Sequence, residues 1–267
     1  MPLTAIRLLD SESAACRTAG GIAMDSRNFI LRSLSPAEEA LVRPHLEPIT
    51  LPQKMTVFRP DEDISHAYFI EWGCASLINI LPDGDAVEVG TIGNEGMVGI
   101  PVLLEADRMP CHCDIQIPGN GWRMRAAALR SAANQSQSLR TKLLRFTQAH
   151  FNQVAQSAAC NRLHSIEERC ARWLLMCRDR VGDEFPLTQE YLAVMLGVRR
   201  AGVTVTARLL QGAGLIAYTR GNIRILDPAG LEEVACDCYR ITRDEFRRLI
   251  PGGDSYPLVD SKPRSPG

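Results

Sequence analysis

Arg200, Thr204 and Arg208 recur four residues apart, with Arg199 beside the first, so a helix would carry all four on one side. Three guanidinium groups and a hydroxyl in a row form an array of hydrogen-bond donors. A guanidinium can bond the two acceptors of a guanine edge together, or a phosphate oxygen, and a hydroxyl can serve any base. Arg220 and Arg224 follow in a short alternating segment, TRGNIRI. Between positions 186 and 226 five arginines stand against the single Glu190, in a chain of 267 residues whose net charge is −1. A local basic face is what neutralising nucleic-acid phosphates requires, and the near-neutral total argues against a protein that coats nucleic acid with its whole surface.

The elements that must hold these side chains can be read on either side of them. Thr188 can cap the first turn of a short helix, with Gln189 beside it, and Leu192, Val194, Met195 and Leu196 supply its apolar contacts. Ala193 is small enough for a second helix to cross close by, and Gly197 can take the positive φ that a tight helix–helix turn requires. A second helix over 199–211 buries Val203, Thr206, Ala207 and Leu210 and turns the arginines outward. Leu215 to Tyr218, a turn at Arg220-Gly221-Asn222, and Ile223 to Ile225 then read as a two-stranded wing.

Upstream, Ser165-Ile166-Glu167-Glu168 is a capping box opening the helix SIEERCARWLLMCRDR, with Ile166, Cys170, Trp173, Leu174 and Cys177 as its buried face. A hinge is expected at 161–164. Before it, Leu139, Leu143, Phe146, His150 and Val154 recur every three or four residues, the stripe of a long helix packed against a partner. From 49 to 125 short apolar runs alternate with Pro-Asp, Asp-Gly and Pro-Gly turn signals, including Leu81-Pro82-Asp83-Gly84-Asp85, a texture that predicts an antiparallel roll. Ser35-Pro36 marks a helix start. The predicted class is α+β: an N-terminal antiparallel, jelly-roll-like β-roll over 25–137, a long helix over 138–162, and a C-terminal winged helix-turn-helix over 163–240.

The helix-turn-helix segment resembles the DNA-binding domain of the CRP/FNR superfamily of bacterial transcription regulators, and 30–160 resembles that family's cyclic-nucleotide-binding-type roll and dimer helix. The resemblance implies a cytoplasmic homodimer in which the stripe from Leu139 to Val154 is the dimer interface, binding double-stranded palindromic DNA and working with RNA polymerase. It places Arg200 on a base-contacting arginine, and Arg199, Gly202 and Arg208 on backbone-phosphate contacts. Arg220 and Arg224 are phosphate candidates on the wing. Ala201 and Val205 stand where the CRP subgroup has a base-reading glutamate and a second arginine, so the implied operator differs from that subgroup's. The family's effector pocket maps to Gly93, Asn94, Glu95 and Gly96, with Arg108 nearby. Here Glu95-Gly96 reverses the family's Gly-Glu order, and Met109-Pro110-Cys111-His112-Cys113 fills the stretch where its arginine belongs. A cyclic-nucleotide effector is therefore not expected, and the effector is left unidentified.

Nine cysteines without a secretory signal suggest free thiols in a reducing compartment. The iron–sulfur subgroup needs cysteines clustered near the N-terminus, where Cys16 stands alone in the first 70 residues, so that cofactor is not expected either. Cys111-His112-Cys113 and Cys236-x-Cys238 invite metal binding, but the sequence nominates no third and fourth ligand, and no cofactor, metal or catalytic group is expected. P-loop, dinucleotide, nucleophile-elbow and HExxH signatures are missing, which argues against an enzyme. No run approaches the ~20 apolar residues of a membrane span. Residues 1–24 are expected to be a disordered leader and 251–267 a disordered tail. The competing function is a small-molecule or redox sensor that acts through protein contacts rather than DNA.

Overall fold

The computed structural model describes residues 25–257, so the expected leader and the last ten residues of the expected tail lie outside it. Helix α1 (Phe29–Arg32) is capped by Asn28, whose side-chain oxygen accepts from the amides of Ile30 and Leu31 while its NH2 donates to the carbonyls of Ile70 (3.0 Å) and Gly96 (2.7 Å). Helix α2 (Pro36–Val42) opens with the expected start, a capping box between Ser35 and Glu38.

Six strands follow: β1 (Glu47–Leu51), β2 (Thr56–Phe58), β3 (His66–Ile80), β4 (Ala86–Ile92), β5 (Met97–Val98) and β6 (His112–Arg125). All pair antiparallel, in the order β1-β6-β3-β4, with β2 on β6 and β5 on β3. Register shifts around Trp72 and Cys74 bend β3 against β6 and curl the sheet into a roll. The Leu81–Asp85 segment is the predicted hairpin turn, closed by Leu81 N–H to Asp85 O at 2.8 Å.

Helix α3 (Ala126–Gln135) leads into the long helix α4 (Gln137–Leu163). Its apolar stripe requires a correction. Leu139, Leu143, Phe146 and His150 are buried inside this one chain, the first three in the core of the roll, so they are not the exposed seam assigned to a partner. The aliphatic periodicity was real, but the surface it matches is the chain's own sheet. Gly90 on β4 lies against His150, Gln153 and Val154, and the Gln153 side-chain oxygen accepts from Thr91 N–H at 2.9 Å. The face of α4 turned outward instead carries Leu144, Phe151, Ala155 and Ala158, with Phe151 64% exposed.

At His164 the backbone turns extended (ψ 152°) and α4 ends. Helix α5 (Ile166–Val181) opens with the predicted Ser165–Glu168 capping box and buries Cys170, Trp173, Leu174 and Cys177. It is covered on nearly every side, so Arg169, Arg172, Asp179 and Arg180 are buried as well. Then come β7 (Glu184–Pro186), α6 (Gln189–Leu196), α7 (Arg200–Gly212), β8 (Ile216–Thr219), β9 (Asn222–Ile225) and α8 (Pro228–Val234). Strands β7-β9-β8 form a small antiparallel sheet.

Helix α9 (Cys238–Leu249) returns along α4. Phe246, Leu249, Ile250 and Tyr256 join the core of the roll, where Tyr256 meets the Phe29 ring edge-on at 5.8 Å. The disorder expected from residue 251 is thereby corrected: the chain is ordered through a turn at Gly253–Ser255, because Tyr256 has an aromatic pocket to fill. Low apolar content hid that single anchor.

Candidate functional site

Helix α6 starts as the sequence dictates. The Thr188 hydroxyl accepts from Tyr191 N–H at 3.3 Å, and Gly197 ends the helix in the left-handed region, φ 59° and ψ 41°. A β-carbon at Gly197 would also lie 3.1 Å from a Val87 methyl on β4, so the turn is pressed against the edge strand of the roll. Helix α7 then buries Val203, Thr206, Ala207 and Leu210 against α5 and α6, the four positions predicted.

The opposite face of α7 is open. Arg199, Arg200 and Arg208 are exposed, as are Ala201, Val205 and Leu209, and Thr204 is half-buried. Arg200 Nε donates to the Gln189 side-chain oxygen at 3.2 Å, Thr204 Oγ1 donates to the same oxygen at 3.3 Å, and Arg200 Nη1 reaches Glu190 at 3.1 Å. Four residues from two helices thus converge at the start of α7. Both Arg200 and Glu190 are about two-thirds exposed, so this ion pair is weak and readily exchanged for another acceptor.

The wing completes the surface. Arg220 and Gly221 both have positive φ, 50° and 80°, the geometry of a tight two-residue hairpin joining β8 to β9. Leu187 N–H donates to Gly221 O at 2.8 Å, which holds the wing tip beside the cap of α6. Arg220 and Arg224 are exposed. A donor-bearing helix, a basic wing and a capped first helix therefore share one side of the domain. Such a surface can place a helix in a major groove with cations against the flanking phosphates.

The residues assigned to an effector pocket are not brought together around an opening. Gly93 and Gly96 are packed, the first under the Arg180 side chain and the second under Phe146. Glu95 pairs with Arg180 at 2.6 Å, both fully buried. Arg108 lies exposed and paired with Asp63 at 2.8 Å. Beside this turn, burial pushes the Glu88 carboxyl up to about 8, against the opposing hydrogen bond from Ser76 and the charge of Arg180. Burial, reinforced by Arg180, pushes His150 down to about 4. An open groove lies on β1, β3 and β6, lined by Ile49, Glu71, Trp72, Asn120 and Trp122.

A second constellation was missed by the sequence reading. Cys160, His164, Cys236 and Cys238 each bring a ligand atom to within 4.8 Å of every other. The expectation that Cys236-x-Cys238 lacked further ligands is corrected: α9 folds back along the end of α4 and delivers both cysteines to Cys160 and His164. The missed signal was Cys160-x3-His164, an i, i+4 pair on one helical face. Cys111 and Cys113 are buried and join no comparable group among the described residues.

Residues 168–234 match the family model of the Crp-like helix-turn-helix domain. No curated protein sequence matches the chain. Solved structures resemble it over most of their length. FixK2 from Bradyrhizobium japonicum has 16% identity and a TM-score of 0.62, covering 72% of this chain and 98% of that one. A CRP-family transcriptional regulator from Thermus thermophilus has 20% identity and a TM-score of 0.58, covering 71% and 96%. The c-di-GMP-responsive global regulator CLP of Xanthomonas campestris has 16% identity and a TM-score of 0.56, covering 72% and 99%. At these identities the likeness is one of fold.

Proposed function

We propose that the chain is a DNA-binding transcriptional regulator of the CRP/FNR type that acts as a homodimer on a palindromic operator under the control of a signal yet to be identified, a reading supported by the Crp-like helix-turn-helix match at 168–234 and the shared fold. The observation that carries the reading is the convergence of Arg200, Thr204 and Gln189 on the exposed side of α7, whose other side is fully committed to the domain core. Arg200 and Thr204 read base edges. Arg199, Arg208, Arg220 and Arg224 contact phosphates, and Thr188 and Gln189 position the start of α6 against the backbone. Ala201 and Val205 present methyl groups beside Arg200, so each half-site carries thymine methyls next to a guanine.

The dimer forms through the outward face of α4. Leu144, Phe151, Ala155 and Ala158 repeat at seven-, four- and three-residue intervals, and the small alanines let a second copy of the helix approach closely. Two recognition helices then sit about 34 Å apart, matching half-sites centred roughly 10 bp from each other. Control operates by turning the DNA-binding domains about His164, which changes that separation.

Selection of random duplex DNA at fixed physiological salt, with the bound pool sequenced, tests this reading. An enriched palindrome with half-sites one helical turn apart supports it. Recovery of sequence-independent, salt-sensitive binding alone sinks it. Parallel selections with cyclic mononucleotides and c-di-GMP test effector classes, the latter because the Xanthomonas relative is described as responsive to it.

A further inference from the structure

We propose that Cys160, His164, Cys236 and Cys238 bind one zinc ion that clamps the two chain segments entering and leaving the DNA-binding domain. The Cys160 and Cys236 sulfurs are 3.5 Å apart, and the Cys238 sulfur is 3.5 Å from His164 Nδ1. A tetrahedral zinc centre, with Zn–S of about 2.3 Å and Zn–N of about 2.0–2.1 Å, has edges of roughly 3.6–3.8 Å between its ligand atoms. Two opposite edges of the group therefore already have about that length, and all four atoms lie within 4.8 Å of one another. A disulfide needs sulfurs about 2.05 Å apart, so Cys160 and Cys236 are two thiols. Thiolates on a polynuclear iron–sulfur cluster bind different irons and are spread apart by the cluster, whereas this group closes around a single ion.

The surroundings supply what such a centre needs. Three thiolates and a neutral imidazole on a divalent ion carry one net negative charge. Arg172, fully buried on α5, acts on Cys160 through its charge, and is ion-paired to no carboxylate among the described residues. Its Nη2 donates to the Ser157 hydroxyl at 3.0 Å, which fixes the guanidinium. Arg169, held by the Leu196 carbonyl, also acts electrostatically on Cys160 and Cys236. Gln156 Nε2 donates to the Cys238 sulfur at 3.1 Å, an outer-shell bond of the kind that orients a thiolate ligand. Cys238 is the first residue of α9, where the helix dipole favours a thiolate.

Four protein ligands leave no open position, which marks a structural rather than a catalytic centre. Its place in the chain gives the consequence. Cys160 and His164 immediately precede the helix-turn-helix domain, and Cys236 and Cys238 immediately follow it, with the Crp-like match at 168–234 between them. One ion would tie together residues 76 apart in sequence and brace the hinge itself.

The full-length chain, purified under reducing conditions without chelator, is analysed for metal and then titrated with cobalt(II). The expected result is one zinc per chain, and an intense thiolate–cobalt absorption with the ligand-field bands of a tetrahedral site. Cys238→Ser and His164→Ala should lower zinc affinity at least tenfold. His164→Cys, which keeps four ligands, should retain the metal, and Cys111→Ser outside the group should match the wild type. Because a ligand variant can fail to fold, chelator stripping and zinc re-addition to the wild type provide the second measurement. Re-addition should restore the metal and slow proteolysis around 160–165 and 235–238. Four outcomes overturn the proposal: a reduced, folded chain that keeps no stoichiometric zinc; an octahedral cobalt spectrum; an iron–sulfur chromophore; or equal zinc loss in Cys111→Ser.

Discussion

Arg180 of α5 and Glu95 of the β4–β5 turn form an ion pair at 2.6 Å in which neither side chain reaches solvent. The arginine belongs to the helix-turn-helix half and the glutamate to the roll, so this contact joins the two halves at the Gly93–Gly96 turn. Arg180 Nε also reaches Glu95 at 3.1 Å, and Nη1 donates to the Met176 carbonyl at 2.6 Å, which satisfies the buried guanidinium. Glu95→Gln leaves a buried cation without its counter-charge and should destabilise the protein by about 3–5 kcal/mol in chemical denaturation. The double variant Glu95→Gln/Arg180→Met should recover much of that loss. A double variant as unstable as the single one would place the damage in packing rather than charge.

Gly96 admits no side chain. A methyl there would sit 1.8 Å from Phe146 Cε2, and Phe146 is held in the core. Gly96→Ala should cost about 1–3 kcal/mol or more through overpacking, and Phe146→Leu added to it should return part of the loss, seen as a higher thermal midpoint.

Two buried groups should drive stability in opposite directions with pH, for separate reasons. His150 has a folded-state value of about 4, below its ordinary ~6.5, so its contribution is full above ~6.5 and is lost as pH falls through 4. Glu88 has a folded-state value of about 8, above its ordinary ~4.3, so its contribution is full below ~4.3 and is lost as pH rises through 8. In midpoints measured across pH 4–9, His150→Gln should remove a rise in stability between about 4 and 6.5, and Glu88→Gln a fall between about 4.3 and 8. A difference of the opposite sign from wild type in either window would refute the assignment.

Arg200→Ala should weaken operator binding by about 1–3 kcal/mol and relax the preference at one base pair per half-site. Arg208→Ala should weaken all sequences alike and reduce the salt slope by about one unit. Binding titrations on the selected operator and its point variants, at several salt concentrations, separate the two behaviours.

Phe151→Glu should convert a dimer into a folded monomer. With 64% of the side chain exposed in the single chain, the change should move stability by no more than about 0.5 kcal/mol. Light scattering measures the mass, and a variant that remains dimeric would move the interface off this face of α4.

The recognition hairpin was legible in the sequence because each of its signals is local. Thr188 caps within three residues, Gly197 turns within one, and Val203 to Leu210 repeat within two turns. The long helix was legible as a helix, yet its apolar stripe could not say which surface covers it. Leu143 facing the chain's own sheet and Leu143 facing a second copy give the same periodicity. The Cys160 group was illegible because its two pairs are 74 and 76 residues apart and meet through a helix that turns back. Tyr256 escaped notice for a related reason, since a lone anchor has no period.

The return of α9 to the roll also limits how the DNA-binding half can move. A body held by one strap is free to swivel about any axis. This one is strapped at two places, the chain at His164 and the chain at Cys236, the far end of the second pinned by Tyr256 against Phe29, and the buried Arg180–Glu95 pair fastens it to the roll as well. Once that pair opens, the two straps leave the freedom of a door on two hinge pins: rotation about the line through both, with sideways travel suppressed. A signal that reaches the roll would then be delivered to the recognition helices as a single angle.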